Sequence, residues 1–181
     1  MKKVATASFI GTALEGYDFL LYASAAALVF GQLFFPVSDD PIIGTLLAYS
    51  TFTVGFIARP IGGIIAGHYG DRIGRKPMLV LTLTVMGIAT MLIGFLPTYA
   101  QVGMLAPILL TTLRFIQGLA YGGEWGGAIL MVVEYAPKDK RGFWGSIPQA
   151  AVPFGFLLAT AVLSLSISIS GDQFLVWGWR I

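Results

Sequence analysis

Gly67-His68-Tyr69-Gly70-Asp71-Arg72-Ile73-Gly74-Arg75-Lys76 gathers four of the chain's 20 charged residues (11 basic plus 9 acidic) into ten positions, between two long apolar runs. Its glycines permit a tight turn at Gly70 and Gly74, and its cations hold it on one side of a membrane. Asp71 stands near the end of a helix, where it can pair with a cation or face a helix N-terminus. An ordinary basic loop accounts for the charges but not for the whole ordered string. His68, one turn away, reads as a lone interfacial side chain with no metal constellation to join.

Outward from this loop the chain is apolar. Of its 181 residues 56% are hydrophobic and 11% charged, with a mean hydropathy of +0.81, whereas soluble domains carry about 25% charged residues. Several runs exceed the roughly 20 residues that cross a hydrocarbon core of about 30 Å. Pro, Gly and charge clusters divide them into five predicted spans, at about 4–35, 41–69, 77–96, 103–135 and 142–168. A sixth is expected to begin near Trp177 and to be cut off at Ile181. Lys2 and Lys3 precede the first run as in a signal peptide, but that run is too long for one and contains Glu15 and Asp18, so it reads as a retained span. The net charge of +2 follows from topology and forms no stripe for nucleic acid. Without cysteine and with one histidine, the chain offers no disulfide, thiolate site or metal cluster, and an enzyme would need a nucleophile with its base or a metal.

Basic residues set the expected orientation. Lys2, Lys3, Arg72, Arg75, Lys76, Lys138, Lys140 and Arg141 fall at the N-terminus or in the second and fourth connections, while 35–41 and 97–103 hold none. The positive-inside rule then makes the N-terminus cytoplasmic. Trp177, Trp179, Phe34, Phe35 and Tyr99 are expected to form an aromatic belt at the opposite interface. Short connections make successive helices antiparallel neighbours, and Gly63, Gly67, Gly118, Gly122 and Gly126 recur at the four-residue spacing that lets membrane helices approach closely.

The polar residues inside the spans carry the functional signal. An ionisable side chain at mid-bilayer costs about 2.5 to 3.5 kcal/mol or more, so it is usually paired, faces the bundle interior and marks a pathway. Counted at 1.5 Å per residue, Glu15 and Asp18 stand roughly 17 to 21 Å up the first span, Arg59 about 18 Å up the second and Glu124 about 20 Å up the fourth. Arg114 falls about 15 Å farther out, with Gln117 one turn below it. Glu15 and Asp18 are three apart and share a helical face; one is expected to pair with Arg59 while the other titrates. Two readings fit: the carboxylates couple protons while Arg59 and Arg114 attract an anionic group, or these are structural ion pairs between helices. Glu124, among Gly122, Gly123, Gly126 and Gly127, fits either a binding or a structural role.

The loop resembles the signature of the major facilitator superfamily, a Gly, an Asp-Arg pair and Gly-Arg-Lys between the second and third spans. Leu110, Arg114, Gln117 and Gly118 match its fourth-span pattern, and Glu134, Pro137, Arg141 and Gly142 match the entry to the fifth. Glu15-Gly16-Tyr17-Asp18-Phe19, Ala58-Arg59-Pro60, Gly122-Gly123-Glu124-Trp125-Gly126-Gly127 and Trp177-Gly178-Trp179-Arg180-Ile181 resemble the metabolite:proton symporter branch. Members of that branch carry shikimate, 2-oxoglutarate, citrate and other organic acids, or proline and betaine. The resemblance covers essentially the whole chain but only the first of two six-helix halves. Gly16 departs from it, standing where the branch has Trp and leaving an expected gap beside the site.

The resemblance implies an all-α integral membrane fold, five helices of an N-terminal six-helix bundle whose missing C-terminal half completes the pathway. It implies secondary active transport of a small anionic or zwitterionic metabolite with protons, and no cofactor beyond the proton gradient. Proton coupling is assigned to Glu15 and Asp18, and substrate binding to Tyr17, Arg59, Arg114, Gln117 and Glu124. A cytoplasmic gate is assigned to Gly67, Asp71, Arg72, Gly74, Arg75, Lys76, Glu134 and Arg141, with Asp71 pairing to Arg141 when the transporter faces outward. An organic acid is the favoured cargo and a proline or betaine osmolyte the alternative. A passive channel or structural membrane subunit is the competing class.

Overall fold

The computed structural model describes residues 2–36 and 41–180, with the backbone alone at 2, 3, 41, 125–128, 130 and 131. The surroundings of Trp125, Gly126 and Gly127, and Ile181 itself, lie outside the described residues. Helix α1 (Lys2–Ala25) passes through one π turn (Ala26–Phe30) into α2 (Gly31–Phe34). It is followed by α3 (Pro41–Ile73), α4 (Arg75–Gly94), the single turn α5 (Tyr99–Val102), α6 (Leu105–Tyr135) and α7 (Arg141–Ser170). Two 3-10 turns, Gly171–Gln173 and Gly178–Arg180, close the described chain. Pro60 sits inside α3, and Pro148 and Pro153 inside α7, a placement membrane helices tolerate because neighbours re-satisfy the freed carbonyls.

Among the described residues, four segments are long and apolar enough to cross a membrane: Val4–Phe34, Ile42–Ile73, Arg75–Gly94 and Lys138–Gln173. The 31 residues of α6 reach about 46 Å at 1.5 Å per residue, so that helix too has the length. The outer faces are apolar, with Ile64 75% and Leu157 71% exposed. Such faces suit lipid, which gives apolar side chains no reason to turn inward.

The charged connection is almost entirely helical. Gly70, Asp71 and Arg72 belong to the end of α3, Arg75 and Lys76 open α4, and the break is Gly74 alone. Its φ of +96° suits a residue without a Cβ. The turn expected at two glycines therefore occurs at one.

Helix α6 occupies the middle, packed on α1, α3, α4 and α7. Its seam with α3 brings backbone onto backbone: a Cβ at Gly122 would lie 1.9 Å from the Arg59 carbonyl oxygen, and one at Gly118 2.2 Å from that of Gly55. On α3 the tight positions are Gly55, Gly62 and the expected Gly63, whereas Gly67, also expected in the seam, meets nothing within 4 Å. Helix α7 packs along α1, where a Cβ at Gly16 would stand 2.8 Å from the Val152 carbonyl oxygen. Gly16 thus admits α7, and it also lines a cavity of about 610 Å³ shared with Arg59, so the expected space beside the site is present.

At the end away from Gly74, Phe34 is fully buried, and Trp179 packs edge-on against Phe30 and Phe34 with centroids 6.1 and 5.8 Å apart. These two residues of the expected belt belong to the core. Arg180 Nη1 donates to the carbonyls of Gly94 (2.7 Å) and Leu96 (3.0 Å), capping the last turn of α4.

Candidate functional site

Asp18, on the face of α1 that meets α6, is 4% exposed and surrounded by donors. Arg114 Nη1 donates to its Oδ2 at 3.2 Å, Gln117 Nε2 to its Oδ1 at 3.2 Å, and Thr90 Oγ1 to its Oδ1 at 2.6 Å. Arg114 also donates to Gln117 Oε1 at 2.9 Å, and Gln117 to Thr90 Oγ1 at 2.8 Å. The Tyr121 hydroxyl lies 2.7 Å from the Glu15 carbonyl oxygen and 3.3 Å from Asp18 Oδ2, and its one proton serves one of them at a time. The Arg114 guanidinium stacks over Tyr22, 4.0 Å from the ring centroid, and over Phe52 at 4.7 Å. Charge, hydrogen bonds and ring faces together hold a buried pair that would otherwise be costly.

Arg114 rather than Arg59 is therefore the partner of Asp18, which corrects both the expected pairing and the expected depth. Counted from Lys2, Asp18 stands about 24 Å along its helix, and Arg114 about 32 Å from Tyr135. Unequal helix starts and a long side chain absorb the difference.

Arg59 faces a different space. A cavity of about 610 Å³ between α1, α3, α6 and α7 is lined by Glu15, Phe19, Arg59, Tyr121, Val152 and Phe156, among others. The Arg59 guanidinium lies 4.5 Å from the Tyr121 centroid and 4.6 Å from that of Phe56. It makes no ion pair among the described residues. Glu15 is close enough for attraction through space, and its buried Oε2 has no hydrogen-bond partner among the described residues. Of the residues expected to bind substrate, only Arg59 lines this cavity. Tyr17 lines spaces between α1 and α4, Arg114 and Gln117 serve Asp18, and Glu124 opens onto another cavity.

In the charged connection, Arg75 Nη1 donates to Glu134 Oε1 at 2.5 Å, tying the start of α4 to the end of α6. Gly67, Gly70, Asp71 and Arg75 line a cavity of about 330 Å³. Asp71 is exposed and forms no ion pair among the described residues, with Arg141 or otherwise. Arg72, Lys76 and Arg141 are exposed as well.

Sequence reasoning missed Thr90, Tyr121, Tyr22 and Phe52. A signal existed for Tyr121, which follows Arg114 and Gln117 at i, i+3 and i+7 and so shares their helical face. Thr90 and the two ring platforms come from other helices, where only the packing reveals them.

With this geometry in view, comparison with known proteins identifies the relatives. The family described as Sugar (and other) transporter matches residues 3–181. The chain is 55% identical over 181 residues to the shikimate transporter of Escherichia coli, an alignment covering 99% of this chain and 41% of that protein. It is 42% identical over 182 residues to the proline/betaine transporter of Salmonella typhimurium, covering 100% of this chain and 36% of the relative. The chain thus spans about two fifths of the length of these relatives. Its fold matches a partially occluded, inward-open structure of the xylose transporter XylE from E. coli with a TM-score of 0.81 at 22% identity, over 98% of this chain and 43% of that one. The apolar helices, the superfamily signature and these relatives agree: this multi-pass membrane chain belongs to the sugar (and other) transporter family of the major facilitator superfamily.

Proposed function

We propose that the chain contributes the N-terminal bundle of a proton-coupled symporter for a small organic acid, lying in the plasma membrane with its N-terminus in the cytoplasm. The observation that carries this reading is the separation of two arginines. Arg114 is consumed by Asp18 in a buried network, while Arg59 presents a guanidinium to a cavity large enough for a small metabolite. Arg59 would take the substrate carboxylate through its planar fork of donors. Asp18 would carry the proton: once neutral, it no longer holds Arg114, which stays bonded to Gln117 and stacked on Tyr22. Tyr121 joins the two sites, with its hydroxyl near Asp18 and its ring beneath Arg59. Protonation at one site can thereby alter the wall of the other. The proton gradient would be the driving force, and the high identity to a shikimate transporter favours an organic acid.

In the same reading Asp71 and Arg141 would meet only in the outward-facing state, and Arg75–Glu134 would tie α4 to α6 beside that gate. The carrying experiment is Asp18→Asn in the intact transporter. Loss of proton-driven uptake with retained substrate exchange is expected, and unchanged accumulation would refute the coupling role. A passive channel would fail to concentrate solute in the wild type.

A proline or betaine cargo has one observation in its favour: the rings of Phe19, Tyr121 and Phe156 line the cavity and could receive a quaternary ammonium. Competition of uptake by shikimate-like acids against betaine separates the two.

A further inference from the structure

Glu124 is 2% exposed, and neither carboxylate oxygen has a hydrogen-bond partner among the described residues. It lies seven residues beyond Gln117 on α6, roughly 10 Å toward the Lys76 end of the bundle. Its side chain opens onto a cavity of about 490 Å³ between α1, α4 and α6, separate from the Arg59 cavity. Gly11 supplies the approach from α1, where a Cβ would lie 2.8 Å from Glu124 Oε1. Cavities of this kind run the length of the α1–α4 side. Tyr17, Asp18, Thr90 and Met91 line both an outer space reaching Arg180 and a middle one, and Ala7, Gly11 and Leu83 line both the middle space and that of Glu124. Asp18 and Glu124 thus stand along one continuous side of the bundle, whereas Glu15 faces the substrate cavity.

We infer that Glu124 is a second proton-binding site, which receives a proton by way of the α1–α4 side after Asp18 and releases it at the Lys76 end. The inference rests on the symport reading above. An ionised carboxylate buried without a partner is costly, and taking up a proton removes that cost. A metal cation is a poor alternative occupant, since such ions need several oxygen ligands. Besides Glu124 the cavity's polar side chains are Ser8, Tyr135 and the cationic Lys76. The charged groups bearing on Glu124 are Glu15 from α1, near enough to repel it when both are ionised, and Lys76 from α4; Tyr135 is the titratable neighbour on α6. No titratable residue of α3 or α7 lines the space among the described residues. The transfer balances: a proton leaves the Asp18 carboxyl group, restoring its pairing with Arg114, and joins the Glu124 carboxylate. It then departs to bulk water, regenerating that carboxylate.

The test is infrared difference spectroscopy of the intact transporter in lipid, with pH steps. The wild type should show a protonated-carboxyl C=O band that is absent in Glu124→Gln and shifted in Glu124→Asp. The same band undiminished in Glu124→Gln would overturn the inference. In proteoliposomes, Glu124→Gln should fall to passive equilibration under a proton gradient while substrate counterflow persists, and Glu124→Asp should restore accumulation. Loss of counterflow together with accumulation in folded Glu124→Gln, with no rescue by Asp, would also overturn it. A wild type without gradient-driven accumulation would bring down the symport reading, and the carboxyl band would still decide whether Glu124 binds a proton.

Discussion

Arg114 and Arg59 are the same residue type, on adjacent packed helices, and their environments are opposite. Arg114 is 2% exposed, paired with Asp18, bonded to Gln117 and stacked on two rings. Arg59 is half-buried, rests on Phe56 and Tyr121, and meets no carboxylate within ion-pair distance among the described residues. A buried cation whose charge is already answered inside the protein serves the bundle. One held only by ring faces keeps its donors for something else. The contrast bears on the two readings left open by sequence, since one arginine is paired between helices and the other has no ion pair among the described residues.

The largest effect expected is from Arg114→Ala, which leaves Asp18 buried with an unanswered charge at a cost of about 3–5 kcal/mol. Thermal unfolding in detergent should show it as a large drop in Tm. The double variant Asp18→Leu with Arg114→Leu should recover much of that loss, because removing both members of a buried pair is far milder than removing one. It should not recover accumulation, and a double variant as unstable as the single would mean that the network serves packing alone. Gly122→Val comes next: a side chain forced against the Arg59 carbonyl should cost about 1–3 kcal/mol and displace Arg59, so both Tm and apparent substrate affinity should fall. Arg59→Gln should separate those readouts, weakening substrate binding while shifting stability by no more than the roughly 0.5–1 kcal/mol of an exposed cation–π contact. The smallest is Arg75→Gln. Its pair with Glu134 is 39% and 52% exposed at the two side chains, and such pairs contribute about 0.2–1 kcal/mol, so Tm should hardly move.

Much of this was legible in the sequence, and the part that was not has a physical reason. Apolar runs, superfamily motifs and the in-membrane charges are local properties, so the membrane class, the family and the presence of Asp18, Arg59 and Arg114 within the spans can be read without coordinates. Which arginine answers Asp18 cannot. Depth counted from helix ends treats all helices as starting at one height, and an offset of about 8 Å, roughly five helical residues, is enough to exchange one partner for the other. Spacing of small residues likewise marks a helix that can approach a neighbour but not the face that does so. Gly55 and Gly62 therefore pack against α6 alongside the expected Gly63, whereas Gly67 does not. Aromatic residues near a span end look alike whether they face lipid or fill the core, and Phe34 and Trp179 fill it.

The contact between Gly122 and Arg59 also bears on how such a transporter changes over evolutionary time. It is the main-chain oxygen of residue 59 that seats against Gly122, so the helix seam is indifferent to which side chain that residue carries. Mutation can exchange the group presented to the cavity without dismantling the wall it is mounted on. Asp18 and Arg114 have no such freedom, because each is a structural condition of the other. A lineage built this way can vary the side chain at one position of the cavity wall while the buried pair stays fixed.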